Sequence, residues 1–160
     1  MKRLLICSMM ALIGAYVPIA LAAPAPKATG DVQFTGSGAE QELDFNAHDG
    51  GASANDKGAI AYTNFTAGIS YSAAVSCANV NVSTSSAYFS YEIPAGFPGL
   101  SGIGIVFRVV DGGTPGTNGD QVSFGVFSDG NSAVSACEAG TLGSVVIDNT
   151  VTAGNLVVHK

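Results

Sequence analysis

Three short segments in the middle of the chain alternate apolar and polar residues with the period of a β-strand: residues 87–93, 103–110 and 121–127. If they form an antiparallel meander with Phe107 between Phe89 and Phe124, one face of the sheet becomes wholly apolar. A shift of one residue would destroy this match. The pattern therefore predicts the register of these strands as well as their existence.

The rest of the chain has the same character. Charged residues make up only 11% of the sequence, and 21 glycines accompany many Val, Ile, Thr and Ser residues, a composition that favours short strands and tight turns. Further strands are predicted at residues 30–34, 41–48, 57–64, 69–74, 75–80, 133–137, 142–147 and 156–159. No helical period longer than one turn follows the first 22 residues. We predict an all-β fold for residues 30–160: a single-domain, antiparallel β-sandwich or flattened barrel.

The first 22 residues have the pattern of a signal peptide. Met1-Lys2-Arg3 is basic, an apolar run follows, and the run ends in Ala20-Leu21-Ala22. A retained membrane anchor or a lipoprotein cysteine at Cys7 are the alternatives, and Pro18 near the end of the run favours cleavage. The sequence therefore predicts a signal peptide over 1–22, a loose Pro/Ala leader over 23–29, and a secreted protein that is extracellular or periplasmic and has no membrane span.

The charge of the expected mature chain restricts its partners. Lys2 and Arg3 leave with the signal, so four basic residues face twelve acidic ones, a net charge of −8. Nucleic acids and anionic membranes bind clustered Lys and Arg, so this balance argues against both. It is compatible with cations, although acidity also serves solubility alone.

Two cysteines remain once Cys7 is removed, Cys77 and Cys137. In an oxidising compartment such a pair forms a disulfide by default, and the chain has no Cys-x-x-Cys motif or histidine spacing that favours zinc. We predict a Cys77–Cys137 disulfide.

The face of the meander opposite the apolar one is mixed, and we expect it to be wet. Its aromatic, apolar and basic side chains are of the types enriched where proteins bind. The candidate interaction face comprises Tyr88, Val106, Arg108, Val110 and Phe127. Its alternative is a purely structural role in which Arg108 lies over Tyr88 or pairs with a carboxylate.

Two further groups of residues suggest ligand binding. Asp111, Asp120 and Asp129 lie in or beside Gly-rich loops and are weak candidates for calcium, although aspartates at such positions commonly cap turns. Five aromatic residues could form a sugar-binding platform, although the chain has no Trp: Tyr62, Phe65, Tyr71, Tyr88 and Phe97.

A catalytic centre is not indicated. His48 lies near Asp44 and Asp49 in sequence, but no Gly-x-Ser-x-Gly elbow accompanies them, and the polar face of a strand explains this histidine. No catalytic residue is predicted.

Several phrases in order resemble a family of bacterial secreted β-domains of the post-COAP type. They are Gly30-Asp31-Val32-x-Phe34, Phe45-Asn46-Ala47, Lys57-Gly58, Val75-Ser76-Cys77-Ala78-Asn79-Val80, Ala87-Tyr88-Phe89-Ser90, Asp111-Gly112-Gly113-Thr114-Pro115-Gly116 and Gly154-Asn155-Leu156-Val157-Val158-His159-Lys160. The resemblance implies an extracellular all-β domain and carries no catalytic residue. Gly112 and Thr114 replace an Asn and a Glu of the family's central loop, which weakens a metal role there.

These observations lead to one expected function and two alternatives. The expected function is that of a secreted, non-catalytic module for extracellular or cell-envelope interaction or structure. Its partner would be an extracellular protein, a polymer or a second copy of the chain. The alternatives are a calcium- or small-ligand-binding domain that uses the Asp/Gly-rich loops, and a hydrolase without a recognisable motif. No cofactor other than calcium is indicated.

Overall fold

A computed structural model describes residues 24–113, 119–144 and 147–159. The predicted signal peptide lies outside the described residues. The described residues form nine strands and one α-helix, in chain order: β1 Lys27–Gly36, β2 Ala39–His48, β3 Lys57–Asn64, β4 Ile69–Ala74, β5 Cys77–Asn81, β6 Ser86–Glu92, β7 Gly104–Val110, β8 Gln121–Phe127, α1 Gly130–Glu138 and β9 Ile147–His159. Single 3₁₀ turns occupy Ser53–Asn55 and Val82–Thr84. The all-β prediction is confirmed.

The strands form one curled sheet in the order β4-β3-β2-β1-β9-β8-β7-β6-β5, and neighbouring strands are antiparallel. The long strand β9 joins the two halves, because it pairs with β8 over residues 147–150 and with β1 over residues 151–159. The sheet therefore curls into a half-barrel whose inner faces pack together. In this core the ring of Phe45 stacks on that of Phe89, with centroids 4.7 Å apart.

The predicted meander register is confirmed. Phe107 lies opposite Phe89 on β6 and opposite Phe124 on β8. The side chains of Phe89 and Phe107 are buried, as the apolar face requires. Val126 is the exception on this face: it lies near the end of β8 and is 47% exposed.

The predicted strand at 133–137 is wrong, because this segment is part of helix α1. The Asp129 side chain accepts a hydrogen bond from the Ser132 amide at 2.8 Å, an N-cap that starts the helix. Ala133, Ala136 and Cys137, spaced as one helical face, are then buried. The segment is too short for its apolar period to separate a helix from a strand.

Three further segments differ from the prediction. Residues 156–159 are the end of the longer strand β9, and Leu142, expected to begin a separate strand, is buried beside α1 instead. Strand β1 begins at Lys27, inside the segment expected to be a loose leader, because residues 27–29 pair with β2 on one side and β9 on the other.

Candidate functional site

The predicted disulfide is present. Cys77 on β5 and Cys137 on α1 are bonded, with Cα atoms 6.2 Å apart, and both residues are buried. The bond fastens the helix to the outer face of the half-sheet formed by β5 to β8.

Helix α1 covers part of the predicted interaction face, so the expectation that this face is wet is wrong at its centre. Val106 is fully buried in a small second core with residues of α1, and Tyr88 and Phe127 pack against that core. Two glycines make room for the helix and for the segment that follows it. A Cβ at Gly104 would lie 2.6 Å from the Ala133 Cβ of α1, and one at Gly125 would collide with the carbonyl of Leu142, which follows α1. These two glycines are a trace of the covering element in the sequence, but they can be interpreted only once that element is known.

The part of the face beyond α1 remains accessible. Arg108 and Val110 are half-buried there, and Arg108 lies between Tyr88 and Ser123 in register. Ser123 in turn donates a hydrogen bond to Asp148 on β9. Among the described residues, none is hydrogen-bonded or ion-paired to the Arg108 guanidinium. The accessible part of the candidate face is thus a strip that contains Arg108 and Val110, which we call the strip around Arg108.

Two loops share the sequence Asp-Gly-Gly and the same hydrogen bonds. Asp49 accepts the Gly51 amide at 2.7 Å through Oδ1 and the Val80 amide of β5 at 3.0 Å through Oδ2. Asp111 accepts the Gly113 amide at 2.7 Å and the Val158 amide of β9 at 3.0 Å. Each carboxylate joins its own loop to a strand of the other half of the sheet.

A second aspartate completes each loop just before the next strand. Asp56 accepts the Gly50 amide through Oδ1 and the Ala78 amide of β5 through Oδ2, both at 2.7 Å. Asp120 accepts the Gly112 amide at 2.8 Å through Oδ1. We call the pair Asp49 and Asp56 the first clip, and the pair Asp111 and Asp120 the second clip.

The second clip differs from the first at one atom. Asp120 is fully buried, and its Oδ2 has no hydrogen-bond donor among the described residues. A buried carboxylate oxygen without a donor is costly, so this atom requires a compensating group.

The structure does not bring the three metal candidates together. Asp111 and Asp120 flank one loop, whereas Asp129 follows the far end of β8 and caps α1. Hydrogen bonds from Ser132 and Ser128 lower the pKa of Asp129, as expected for a capping carboxylate. Within the ranges that the structure describes, no group of three or more His, Cys, Asp or Glu side chains is placed to hold a metal ion.

An apolar cleft opens between the β3–β4 hairpin and the strands β6 to β8. Its volume is about 130 Å³. We call it the tyrosine cleft, and it is lined by Tyr62, Asn64, Ile69, Tyr71, Tyr91, Ile93, Leu100, Ile105, Phe107 and Phe124. Tyr91, Ile93, Ile105 and Phe107 are buried, and the other six lining residues are half-buried, so the cleft has a closed floor and an accessible rim.

The tyrosine hydroxyls of the cleft are neutral at physiological pH. Burial raises the pKa of Tyr71 to about 12, and it also raises the pKa values of Tyr62 and Tyr91. The Tyr62 hydroxyl donates to Gln41 Oε1 at 2.7 Å, and the Tyr71 and Tyr91 hydroxyl oxygens lie 3.0 Å apart. The cleft is therefore apolar with a few placed hydroxyls.

Sequence reasoning found only part of this cleft. Of the five aromatic residues considered as a sugar platform, Tyr62, Tyr71 and Phe97 do lie together, with Tyr71 contacting both of the others. Phe65 is separately exposed, and Tyr88 lies on the outer face. The floor residues come from the meander and were predicted only as core.

The comparisons with known proteins give no relative. No family model, no curated protein and no solved structure matches the chain. The resemblance to post-COAP domains therefore stays a prediction. In the part of the chain that the structure describes, no helix is long and apolar enough to cross a membrane.

Proposed function

We propose that this protein is exported and works outside the cytoplasm as a non-catalytic β-domain that binds an extracellular protein or polymer. The Cys77–Cys137 disulfide carries this proposal. It joins buried residues across a separation of 60 positions, and such bonds persist in oxidising compartments. The signal-peptide pattern of residues 1–22 supports the same location.

The chemistry of the aspartates supports a scaffold role. Asp49, Asp56, Asp111 and Asp129 each use both carboxylate oxygens to accept hydrogen bonds from nearby amides or hydroxyls. Carboxylates committed in this way hold loops and helix ends in place. They favour a rigid module over acid–base chemistry at these positions.

Export is tested by expressing the full chain in a bacterial host and fractionating the cells. We expect the protein outside the cytoplasm, with a mass that corresponds to cleavage after Ala22 and with no free thiol after denaturation. Full-length protein retained in the cytoplasm with reduced Cys77 and Cys137 would contradict the proposal.

The strip around Arg108 is the proposed contact surface. Arg108 is half-buried and lies opposite Tyr88 in register, and arginine and tyrosine are enriched at binding hot spots. Arg108→Ala should release exported protein from the cell envelope into the medium and leave the melting temperature nearly unchanged. Lys57→Ala, which removes an exposed lysine from β3, is the matched control and should not change retention. Equal retention of all three proteins would refute this surface.

One observation favours a second candidate function, the binding of calcium. Asp120 Oδ2 is buried without a donor from the described residues, and a hard cation would supply the missing charge compensation. A melting temperature that rises with millimolar calcium and falls again with a chelator would support this function, because a ligand that binds only the folded state stabilises it.

A further inference from the structure

We propose that the tyrosine cleft binds one small, neutral, ring-shaped molecule that carries a hydroxyl or carbonyl group. This site lies in the core of the half-barrel, away from both clips and from the strip around Arg108. The inference does not depend on export or on the proposed envelope partner.

The size of the cleft limits its occupant. A volume of about 130 Å³ is close to the roughly 150 Å³ of an apolar protein cavity that accepts benzene. One six-membered ring therefore fits, whereas a disaccharide does not. The rim residues Ile69, Leu100 and Phe124 are half-buried, so a small molecule reaches the floor without a large opening of the sheet.

The hydrogen bond between Tyr71 and Tyr91 leaves one of the two hydroxyl protons available to a bound molecule. The Tyr71 and Tyr91 oxygens are 3.0 Å apart, so one hydroxyl donates to the other. Tyr91 is only 1% exposed, and a buried hydroxyl proton without an acceptor would cost free energy. We therefore assign Tyr91 as the donor, which leaves the hydroxyl proton of half-buried Tyr71 for a guest.

Tyr62 provides a complementary acceptor. Its proton is committed to Gln41 and the Asn64 side chain also hydrogen-bonds it, but a hydroxyl oxygen has two lone pairs, so one remains to accept a hydrogen bond from a guest. The Tyr62 and Tyr71 rings are neighbours, with centroids 5.4 Å apart. A ring with one hydroxyl group can thus accept from Tyr71 or donate to Tyr62 while its apolar part covers the floor at Phe107 and Ile105.

The test uses phenol and toluene as probes of the folded protein, followed by calorimetry and by backbone amide shifts in nuclear magnetic resonance. We expect phenol to bind with a dissociation constant in the roughly millimolar range, as its seven non-hydrogen atoms allow. The amide shifts should be concentrated on β3, β4, β6 and β7. Toluene, which has the same size but no hydroxyl, should bind several-fold more weakly.

Two variants separate the contribution of the aromatic ring to binding from that of the hydroxyl group. Tyr71→Phe removes the donor and should weaken phenol binding about fivefold, the effect of one hydrogen bond, with little change for toluene. Tyr71→Phe also removes the acceptor of the Tyr91 hydroxyl and can therefore destabilise the fold. A second variant, which leaves both tyrosines in place, keeps the test valid in that case. Leu100→Trp on the rim should fill the cleft and abolish binding of both probes.

Val157→Ala is the control, because it trims an exposed apolar residue on β9 outside the cleft and should leave both affinities unchanged. The proposal is overturned if neither probe binds at millimolar concentration. Phenol binding that persists in Leu100→Trp, or amide shifts centred on Val157, would overturn it as well.

Discussion

The first and second clips both begin with Asp-Gly-Gly and share three of their hydrogen bonds, yet they hold different parts of the sheet. The first clip belongs to the β2–β3 loop and binds the amides of Ala78 and Val80 on β5, the last strand in the sheet order. The second clip belongs to the β7–β8 loop and binds the Val158 amide on β9, in the stretch that pairs with β1. Each clip thus connects the two halves of the curled sheet.

The first clip also protects an edge. An edge strand exposes amides that can pair with another chain, and natural proteins block such edges with charged side chains. The carboxylates of Asp49 and Asp56 occupy two alternate amides of β5, so this edge is closed to strand addition at those positions. An Asp-Gly-Gly loop, which suggests a metal ligand in sequence, thus serves here as an acceptor for backbone amides.

The difference between the clips is confined to their second aspartates. Both oxygens of Asp56 have amide donors, whereas only Oδ1 of Asp120 has one among the described residues. Any ligand-binding role of these loops therefore concentrates on a single atom, Asp120 Oδ2.

The largest expected loss of stability follows from releasing β5, which is held both by the first clip and by the disulfide. Cys77→Ala combined with Cys137→Ala should lower the free energy of unfolding by about 4 kcal/mol, because the open chain regains the entropy of a loop of about 60 residues. Urea denaturation measures this change.

The same double variant tests whether the first clip holds the edge by itself. In hydrogen exchange, the amides of Ala78 and Val80 should stay protected without the disulfide, because their acceptors are Asp56 and Asp49. Rapid exchange of both amides in a variant that is still folded would show that the disulfide alone holds β5.

Asp56→Ala should have the next largest effect. It removes two hydrogen bonds to a charged acceptor and leaves the amides of Gly50 and Ala78 without partners, so we expect a loss of about 2–3 kcal/mol in the free energy of unfolding. Asp44→Ala is the matched control, since Asp44 is an exposed aspartate on β2. Equal losses in the two variants would contradict the first clip.

Local patterning predicted most strands, including β3 and β4 with their exact bounds, and it predicted the register of the meander. The meander was predictable because Phe89, Phe107 and Phe124 lie on strands close in sequence, and a single register buries them together. Helix α1 was missed because its small residues fit an alternating pattern and a helical one equally. Gly104, which makes room for the helix, and Gly125, which makes room for Leu142 after it, become informative only once the neighbouring element is known.

The sites were less predictable because their contacts are distant in sequence. The turns at Asp49 and Asp111 follow from Asp-Gly-Gly, but their partner amides are 31 and 47 positions away. Periodicity describes which face a side chain occupies and not which strand lies across from it. The tyrosine cleft has the same origin, since Tyr71 meets Tyr91 only when the sheet curls.

The smallest change in the free energy of unfolding is expected at the second aspartates, where the two clips differ. Asp56→Asn turns an amide group toward the Ala78 N–H or the Gly50 N–H, so it should lower the free energy of unfolding by about 1–2 kcal/mol. Asp120→Asn can keep its acceptor toward the Gly112 amide and removes a buried charge. Without calcium, we therefore expect it to change the free energy of unfolding by less than about 0.5 kcal/mol.

A titration with calcium distinguishes two explanations of the buried Asp120 Oδ2: compensation by a bound cation and compensation by the protein itself. If a cation compensates Oδ2, calcium should raise the melting temperature of the wild-type protein and of Asp56→Asn, but not that of Asp120→Asn, which lacks the charge that holds the cation. If calcium shifts none of the three, the buried carboxylate is compensated within the protein. A loss from Asp120→Asn as large as that from Asp56→Asn would then show that the two clips are equivalent after all, with a donor to Oδ2 from the chain itself.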